Sequence, residues 1–307
     1  MMNNKWVSFS PHILSKNSTV KTYITMIILL CPVFASTVVT FDFMPLLTVL
    51  VSILSALVAD MLFKLVVDKR YDFQELSAVF IGLVIGLCMP TGTSVFVPIL
   101  GTMISVIFIR DIAGGIGQNF VSEIAVAVVL SSLIYTADFY MFRVAGTTRV
   151  MGTGFLDQVL SGTVTSIDIT ALLFGGTTGL IAETSMFWLL IAGILMLVFR
   201  LIDFRVPVAT LASTFVFALI FFDVVTAVNL MFTGGVVISA FFIATDYAVV
   251  PKNKWAKYIY GLLIGFLTVI IWKAGSHQMA VFYAVIIMGL VSSMVNGLTR
   301  TLKNRRV

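Results

Sequence analysis

Residues 101–111 read "GTMISVIFIRD" and residues 235–246 read "GVVISAFFIATD". Both fit one pattern, Gly-x-x-Ile-Ser-x-x-Phe-Ile, closed after one or two further residues by an aspartate. Each is an apolar run broken only by small residues and ended by charge, the signature of a helix that lies in lipid and stops at water. Two readings compete: chance likeness between two apolar helices, and descent from a duplicated half. The matched Gly, Ser and Asp favour duplication, since transporter-like folds are often built from repeats. On that reading Ser105 and Ser239 are packing points, where a small side chain lets two helices approach closely.

The composition agrees with lipid. Of 307 residues 60% are hydrophobic, with 26 Phe and 15 Met, and only 11% are charged. A soluble chain is expected to be roughly 45–50% apolar and about 25% charged. One globular core cannot hide such an excess, so the chain is expected to be an integral membrane protein. Its polar, basic first 22 residues lead into a full-length span rather than a short apolar stretch with a cleavage site, and no secretory signal is expected. Cys31 and Cys88 lie in apolar runs and read as small buried hydrophobes. With two cysteines, and with His12 and His277 far apart, no metal site is expected.

A helix needs about 20 apolar residues to cross the hydrocarbon layer. Ten segments qualify or nearly do: 23–41, 44–66, 76–89, 96–109, 120–138, 184–199, 207–222, 227–244, 258–272 and 279–297. The third and fourth are short and separated by "MPTGTS"; they read either as two short helices or as one segment broken at Pro90. Lysine and arginine favour the cytoplasmic side. Alternating ten spans from an inside N-terminus leaves only Arg143, Arg149 and Lys273 outside, of 19 Lys and Arg in all. The net charge of +5 is then topology, and no nucleic-acid partner is expected. The expected fold is an all-α integral membrane protein of about ten transmembrane helices with both termini cytoplasmic. It divides into two repeated five-helix halves, 1–138 and 183–307, around a non-cytoplasmic segment, 139–182.

That outer segment holds "DQVLSGTVTS" at 157–166, four hydroxyl side chains around a glycine, headed by Asp157. Turn and cap chemistry is one reading, and "TSID" at 165–168 resembles a capping box opening the next helix. A site for covalent attachment is the other. Charges at membrane depth are functional candidates, because an unpaired one is expensive there. Asp60 and Lys64 share a helix face at i, i+4 and are expected to pair, and Glu123 is placed to neutralise Arg110. Asp223 has no local partner and, with Asp60, is a candidate ion-pathway acid. Glu183 reads as a helix N-terminal carboxylate or as the holder of a cofactor loop. "GGIGQN" at 114–119 follows a span rather than a strand and lacks a βαβ unit, so a dinucleotide fold is rejected. A nest of backbone N–H groups facing a cofactor, or plain tight packing, remains for it. "GGTTG" at 175–179 reads as part of a cofactor pocket or as a flexible loop.

Several segments, taken in order, resemble the family that contains RnfD of the Rnf electron-transport complex and NqrB of the sodium-pumping NADH:quinone reductase. They are "SPHI" at 10–13, "GLVIGLCMP" at 82–90, "GGIGQNF" at 114–120, "AETS" at 182–185, "DFRVPV" at 203–208, "AFFIATDYAVVP" at 240–251 and "IYGLLIG" at 259–265. The chain departs from the family after Gly-Gln-Asn, where "FVSEIA" replaces Pro-Phe-Asn-Pro, and after "ATD", where Tyr247 stands in place of proline.

The resemblance implies flavin mononucleotide joined through its phosphate to a threonine in a pattern like Asp-x-x-Ser/Thr-Gly-Ala-Thr. Six residues on from Asp157 is Thr163, the first choice; Thr165 is the second, with Ser161, Gly162, Asp157 and Glu183 around the cofactor. Counting three on from Ser161 instead gives Val164, which has no hydroxyl. A second, non-covalent flavin, a flavin transferase, and Na+ or H+ as the moved ion belong to the same expectation. The implied function is that of one component of a redox-driven ion pump in a bacterial inner membrane, with ferredoxin and NAD bound by partner proteins of the complex. No residue of this chain is expected to be catalytic alone. The alternatives are a cofactor-free permease and a homologue that keeps only a scaffolding role.

Overall fold

The computed structural model describes residues 19–41, 43–68, 76–115, 117–144, 146–147, 149–275 and 278–304. The "SPHI" segment, the basic N-terminal cluster, His277 and the last residues lie outside these, as do the basic side chains beyond Ser292. In chain order the helices are α1 (Thr19–Phe41), α2 (Met44–Phe63), α3 (Ser77–Leu87), α4 (Val97–Ser105), α5 (Glu123–Ile134), α6 (Thr136–Phe139) and α7 (Phe155–Leu160). Then follow α8 (Ile169–Phe174), α9 (Met186–Val198), α10 (Arg205–Phe221), α11 (Val224–Met231), α12 (Val236–Ile238), α13 (Lys254–Ala274) and α14 (Ala280–Asn304).

All ten apolar segments are helical. Among the described residues four helices are long and apolar enough to cross a membrane: Val20–Phe41, Met44–Val67, Ile181–Val198 and Lys254–Ala274. A fifth crossing is a bent pair, Val224–Met231 with Val236–Ile243, broken by 55°. Shorter apolar helices occupy Ser77–Leu87, Glu123–Ile134, Arg205–Phe221 and Ala280–Ser292. The chain is a multi-pass membrane protein.

The two echoing segments share a structural oddity. Each leaves α-helical geometry at its serine: the first becomes a π-helix over Val106–Asp111, the second over Ser239–Ile243. A π-turn widens the helix by one residue and is seen mostly at functional sites. Ser105 packs as expected: it is buried and its hydroxyl donates to the Glu123 carbonyl at 2.5 Å.

Glycine sets the closest helix approaches. A Cβ on Gly82 would come within 2.6 Å of Ile53 Cα, and one on Gly86 within 2.8 Å of Val49 Cα, so α3 lies directly on α2. Gly101 meets Ala127 and Ser131 on α5, and Gly261 and Gly265 meet Val206–Thr214 on α10. Register fixes direction: α2 and α3 run antiparallel, as do α4 and α5, whereas α10 and α13 run parallel.

Segment 76–109 is two helices rather than one broken helix. The connection between α3 and α4 crosses the loop leading into α9 as an antiparallel bridge between Pro90 and Leu180. The Ile181 N–H donates to the Met89 carbonyl at 2.8 Å and the Thr91 N–H to the Gly179 carbonyl at 3.2 Å. Proline is tolerated there because its partner uses only the neighbouring amides.

The outer segment carries one short antiparallel ribbon, Phe142–Arg143 with Val150–Met151, within the otherwise helical fold. Two expectations need correction. Helix α8 begins at Ile169 and is capped by Asp168, which accepts from the Thr170 and Ala171 N–H groups at 3.1 Å, not by Thr165. The shorter Asp side chain one residue before the helix reaches these amides directly. Finally, Cys31 faces outward and only Cys88 is buried.

Candidate functional site

Helix α1 connects two candidate sites. Tyr23, near its start, lines a cavity among the basic helix ends, while the Thr40 carbonyl accepts from Gly146 of the ribbon turn at 3.3 Å. At about 1.5 Å per residue these points stand about 25 Å apart along the helix.

At the ribbon end, α7 carries the hydroxyl-rich loop. Asp157 caps α7 by accepting the Gly154 N–H at 3.2 Å, so it shapes the loop's entry. Helix α7 stops because Ser161 turns its hydroxyl back onto the Gln158 carbonyl (3.0 Å) and Gly162 adopts φ +75, a conformation that favours glycine. A Cβ at Gly162 would meet nothing within 4 Å, so the loop is open on that side. Thr163 is exposed, and its hydroxyl donates to the Gln158 carbonyl at 2.8 Å. Thr165 is exposed beyond it. Beside the loop lies a cavity of about 440 Å³ lined by Phe155, Gln158, Val164, Ser166, Thr177 and Thr178, among others. Ligand pockets run from about 300 to 1,000 Å³. "GGTTG" therefore does contribute to the pocket wall, and a 2.6 Å bond from the Phe155 N–H to the Thr178 carbonyl ties it to α7. An exposed threonine hydroxyl, an open glycine and an adjoining polar-and-apolar pocket would accommodate a tethered flavin.

At the basic end, the two π-helices deliver their terminal charges to one place. Arg110, Asn119, Glu123, Asp246, Tyr23 and Tyr247 line a cavity of about 300 Å³. The Glu123 and Asp246 carboxylates, from different segments of the chain, both line this cavity. Asn119 donates to Glu123, while its own Oδ1 is buried without a partner. That orphan acceptor, next to two aromatic rings, fits the N–H edge of a planar ligand.

Asp60 pairs with Lys64 (2.9 Å), as the i, i+4 spacing indicates, and also with Arg110 from the end of the α4 segment. Arg110 Nε lies 3.1 Å from Asp111 as well. Arg110 thus meets Asp60 and Asp111 and shares the cavity with Glu123, whose carboxylate accepts from Asn119. Asp223 is exposed at the start of α11, away from either cavity lining. Glu183 is an N-terminal carboxylate, but a buried one: it accepts the Leu180 N–H (3.0 Å) and, across the fold, the Gly235 N–H (2.5 Å). Its bonds hold the start of the second echo. Spacing alone misses the Glu123–Asp246 pair, because its members lie far apart in sequence; "ATD" closing the second echo is the available signal.

Outside the membrane segments, Asp203 sits between α9 and α10. Burial raises its carboxyl, but the Lys257 ammonium at 2.7 Å and the backbone and guanidinium of Arg205 outweigh that and hold it below the usual carboxylate value. A depressed carboxylate stabilises above its unfolded pKa of about 4 and loses that contribution as pH falls through the lower folded value. Melting curves of Asp203→Asn and the parent should therefore differ by a constant small amount, under about 1 kcal/mol, between pH 5 and 8. They should converge below pH 4.

Residues 6–304 match the model of the NQR2, RnfD, RnfE family. The chain is 27% identical over 301 residues to the D component of the Na(+)-translocating ferredoxin:NAD(+) oxidoreductase complex of Acetobacterium woodii, covering 97% of this chain and 94% of the relative. It is 25% identical to the D component of the ion-translocating oxidoreductase complex of Methanosarcina acetivorans, covering 96% and 95%. It is 24% identical to the D component of the proton-translocating ferredoxin:NAD(+) oxidoreductase complex of Clostridium ljungdahlii, covering 97% and 95%. The names of the first and third specify different ions.

Proposed function

The chain belongs to the NQR2, RnfD, RnfE family, and on that premise we propose that it is the RnfD-type membrane component of an Rnf-like ion-translocating ferredoxin:NAD oxidoreductase. It works as part of that enzyme and not alone; ferredoxin and NAD bind other proteins of the complex. The basic end faces the cytoplasm of a bacterial inner membrane, by the preference of Lys and Arg for that side, and the 157–166 loop faces out.

The observation that carries this reading is the combination of an open, hydroxyl-rich loop beside a pocket with two carboxylates, Glu123 and Asp246, in one cavity toward the other end of α1. Thr163 is the acceptor of FMN, joined by a phosphoester, with Thr165 the second choice. Gly162 leaves the approach open to a flavin transferase, and Ser161 and Gln158 hold the acceptor hydroxyl in place. Ser166, Thr177 and Thr178 offer polar atoms to the bound ring, and Val164 and Phe155 offer apolar surface. The flavin, when bound, supplies one-electron chemistry that the side chains lack. At the cytoplasmic end, Asn119 and the rings of Tyr23 and Tyr247 form a berth for a second, non-covalent flavin. Glu123 and Asp246 beside it exchange a proton, or a Na+ in the proton's place. In this arrangement Asp60 is committed to Lys64 and Arg110, and Asp223 is a rim residue, so neither carries the ion.

Protein made together with its maturation enzyme should give a fluorescent band on a denaturing gel under ultraviolet light. Thr163→Val should remove the band and Thr165→Val should leave it. Acid precipitation of the Thr163→Val protein should still release flavin from the second berth. A specific observation favours one other reading: Val164 stands where the Ser-Gly count calls for threonine. A dark parent band, with the transferase proven active on another substrate, and no released flavin would make the chain a flavin-less scaffold or permease.

A further inference from the structure

Parallel packing brings the N-terminal ends of α10 and α13 side by side at the basic end, because Gly261 and Gly265 seat α13 against Val206–Thr214. Between these ends is a cleft of about 140 Å³ whose lining includes Asp203, Thr245, Tyr247, Lys252 and Lys257. Asp203 is the cleft's own anion, shared by Lys257 at 2.7 Å and Arg205 at 2.8 Å. Two cations on one carboxylate leave an excess of positive charge. Lys252 lines the cleft and exposed Lys254 stands beside it, and two helix N-termini pointing the same way contribute further positive potential. The cleft is flanked by Trp255, 77% exposed, and by Phe204, whose ring carries Arg205 at 4.9 Å. Along α13, toward the membrane interior, Ile259 and Leu262 continue from Trp255 at i+4 and i+7 as one exposed apolar track.

We propose that this cleft binds the headgroup of an anionic phospholipid, with the lipid's acyl chains running down the apolar track of Trp255, Ile259 and Leu262 on α13. The phosphate recognises the basic cluster, and Trp255 sits at the depth where aromatic residues anchor proteins in the headgroup layer. Basic pockets between membrane helices on the cytoplasmic side take such headgroups. The apolar track distinguishes a lipid from a soluble phosphate, which would have no use for it. The inference is independent of any flavin.

The test is thermal unfolding of the full chain in an uncharged detergent, titrated with dioleoyl phosphatidylglycerol. The anionic lipid should raise the melting temperature saturably. Phosphatidylcholine with the same chains, glycerol 3-phosphate and poly-glutamate should not. Each lysine near a headgroup layer contributes about fivefold in affinity, so Lys252→Ala with Lys254→Ala should raise the half-saturating lipid concentration roughly 25-fold. Lys252→Arg with Lys254→Arg should titrate like the parent and controls for folding. An equal response to phosphatidylcholine, or an unchanged titration of the double alanine variant, overturns the proposal. So does a matching shift with glycerol 3-phosphate, which would mark a soluble-phosphate site, or with poly-glutamate alone, which would mark an acidic protein surface.

Discussion

Glu183→Ala should destabilise the detergent-solubilised chain by about 2–6 kcal/mol, since it strands two buried N–H groups at about 1–3 kcal/mol each. One carboxylate serves both the Leu180 N–H and the Gly235 N–H, and the residue is only 4% exposed. Gly235 stands at φ +72 at the start of α12, the point where the bent crossing turns inward. Losing the clamp should therefore raise hydrogen exchange at the Gly235 amide before the rest of the chain responds. Glu183→Gln should fall between parent and alanine, because its amide oxygen can satisfy one N–H while its NH2 faces the other. A loss below about 1 kcal/mol for the alanine variant, with unchanged exchange at Gly235, would mean that the carboxylate is not what holds the two loops.

Gly265→Val should be of similar size, about 3 kcal/mol or more, for a steric reason. Any Cβ at this position meets Ser213 Oγ and comes within 2.6 Å of the Thr214 nitrogen and 2.8 Å of the Thr210 oxygen. Backbone atoms cannot rotate away, so α13 must move off α10. Gly265→Ala should cost less, and adding Ser213→Ala should recover part of that loss by removing the nearest hydroxyl. The two substitutions are thus expected to be non-additive, as neighbours in contact are. Melting temperatures of the two singles and the double measure the coupling; strict additivity would contradict the close approach. Because the two helix ends frame the basic cleft, Gly265→Val should also weaken its response to phosphatidylglycerol.

How far the sequence can be read depends on the range of each interaction. Helices show through as apolar length, and the Asp60–Lys64 pair shows because i, i+4 neighbours are set by helix geometry alone. Arg110 joining that pair is hidden, since it comes from another helix. The echo announces the likeness of 101–111 and 235–246 but not their π-turns, which leave no spacing signature in an apolar run. Nor does it announce that Arg110 and Asp246 end at one cavity. Glu183 is legible as an N-terminal carboxylate through its local bond to Leu180; its bond to Gly235 spans 52 positions and carries no local mark. "TSID" misleads because both Thr165 and Asp168 are good caps, and only the actual start of α8 chooses between them. In the 157–166 loop, the choice of Asp157 and Thr163 comes from the family resemblance and not from local geometry. The pocket beside them needs Thr177 and Thr178 from across the segment.

The bridge between Pro90 and Leu180 also bears on how the chain is made. About ninety residues separate the two strands of that bridge. At synthesis rates of about 5–20 residues per second, the first loop is made roughly 5–20 s before its partner exists. Until then the Met89 carbonyl and Thr91 N–H lack the partners they meet in the fold. The join between α3, α4 and the lead-in to α9 is therefore a late step of assembly, set by when residues 179–181 emerge.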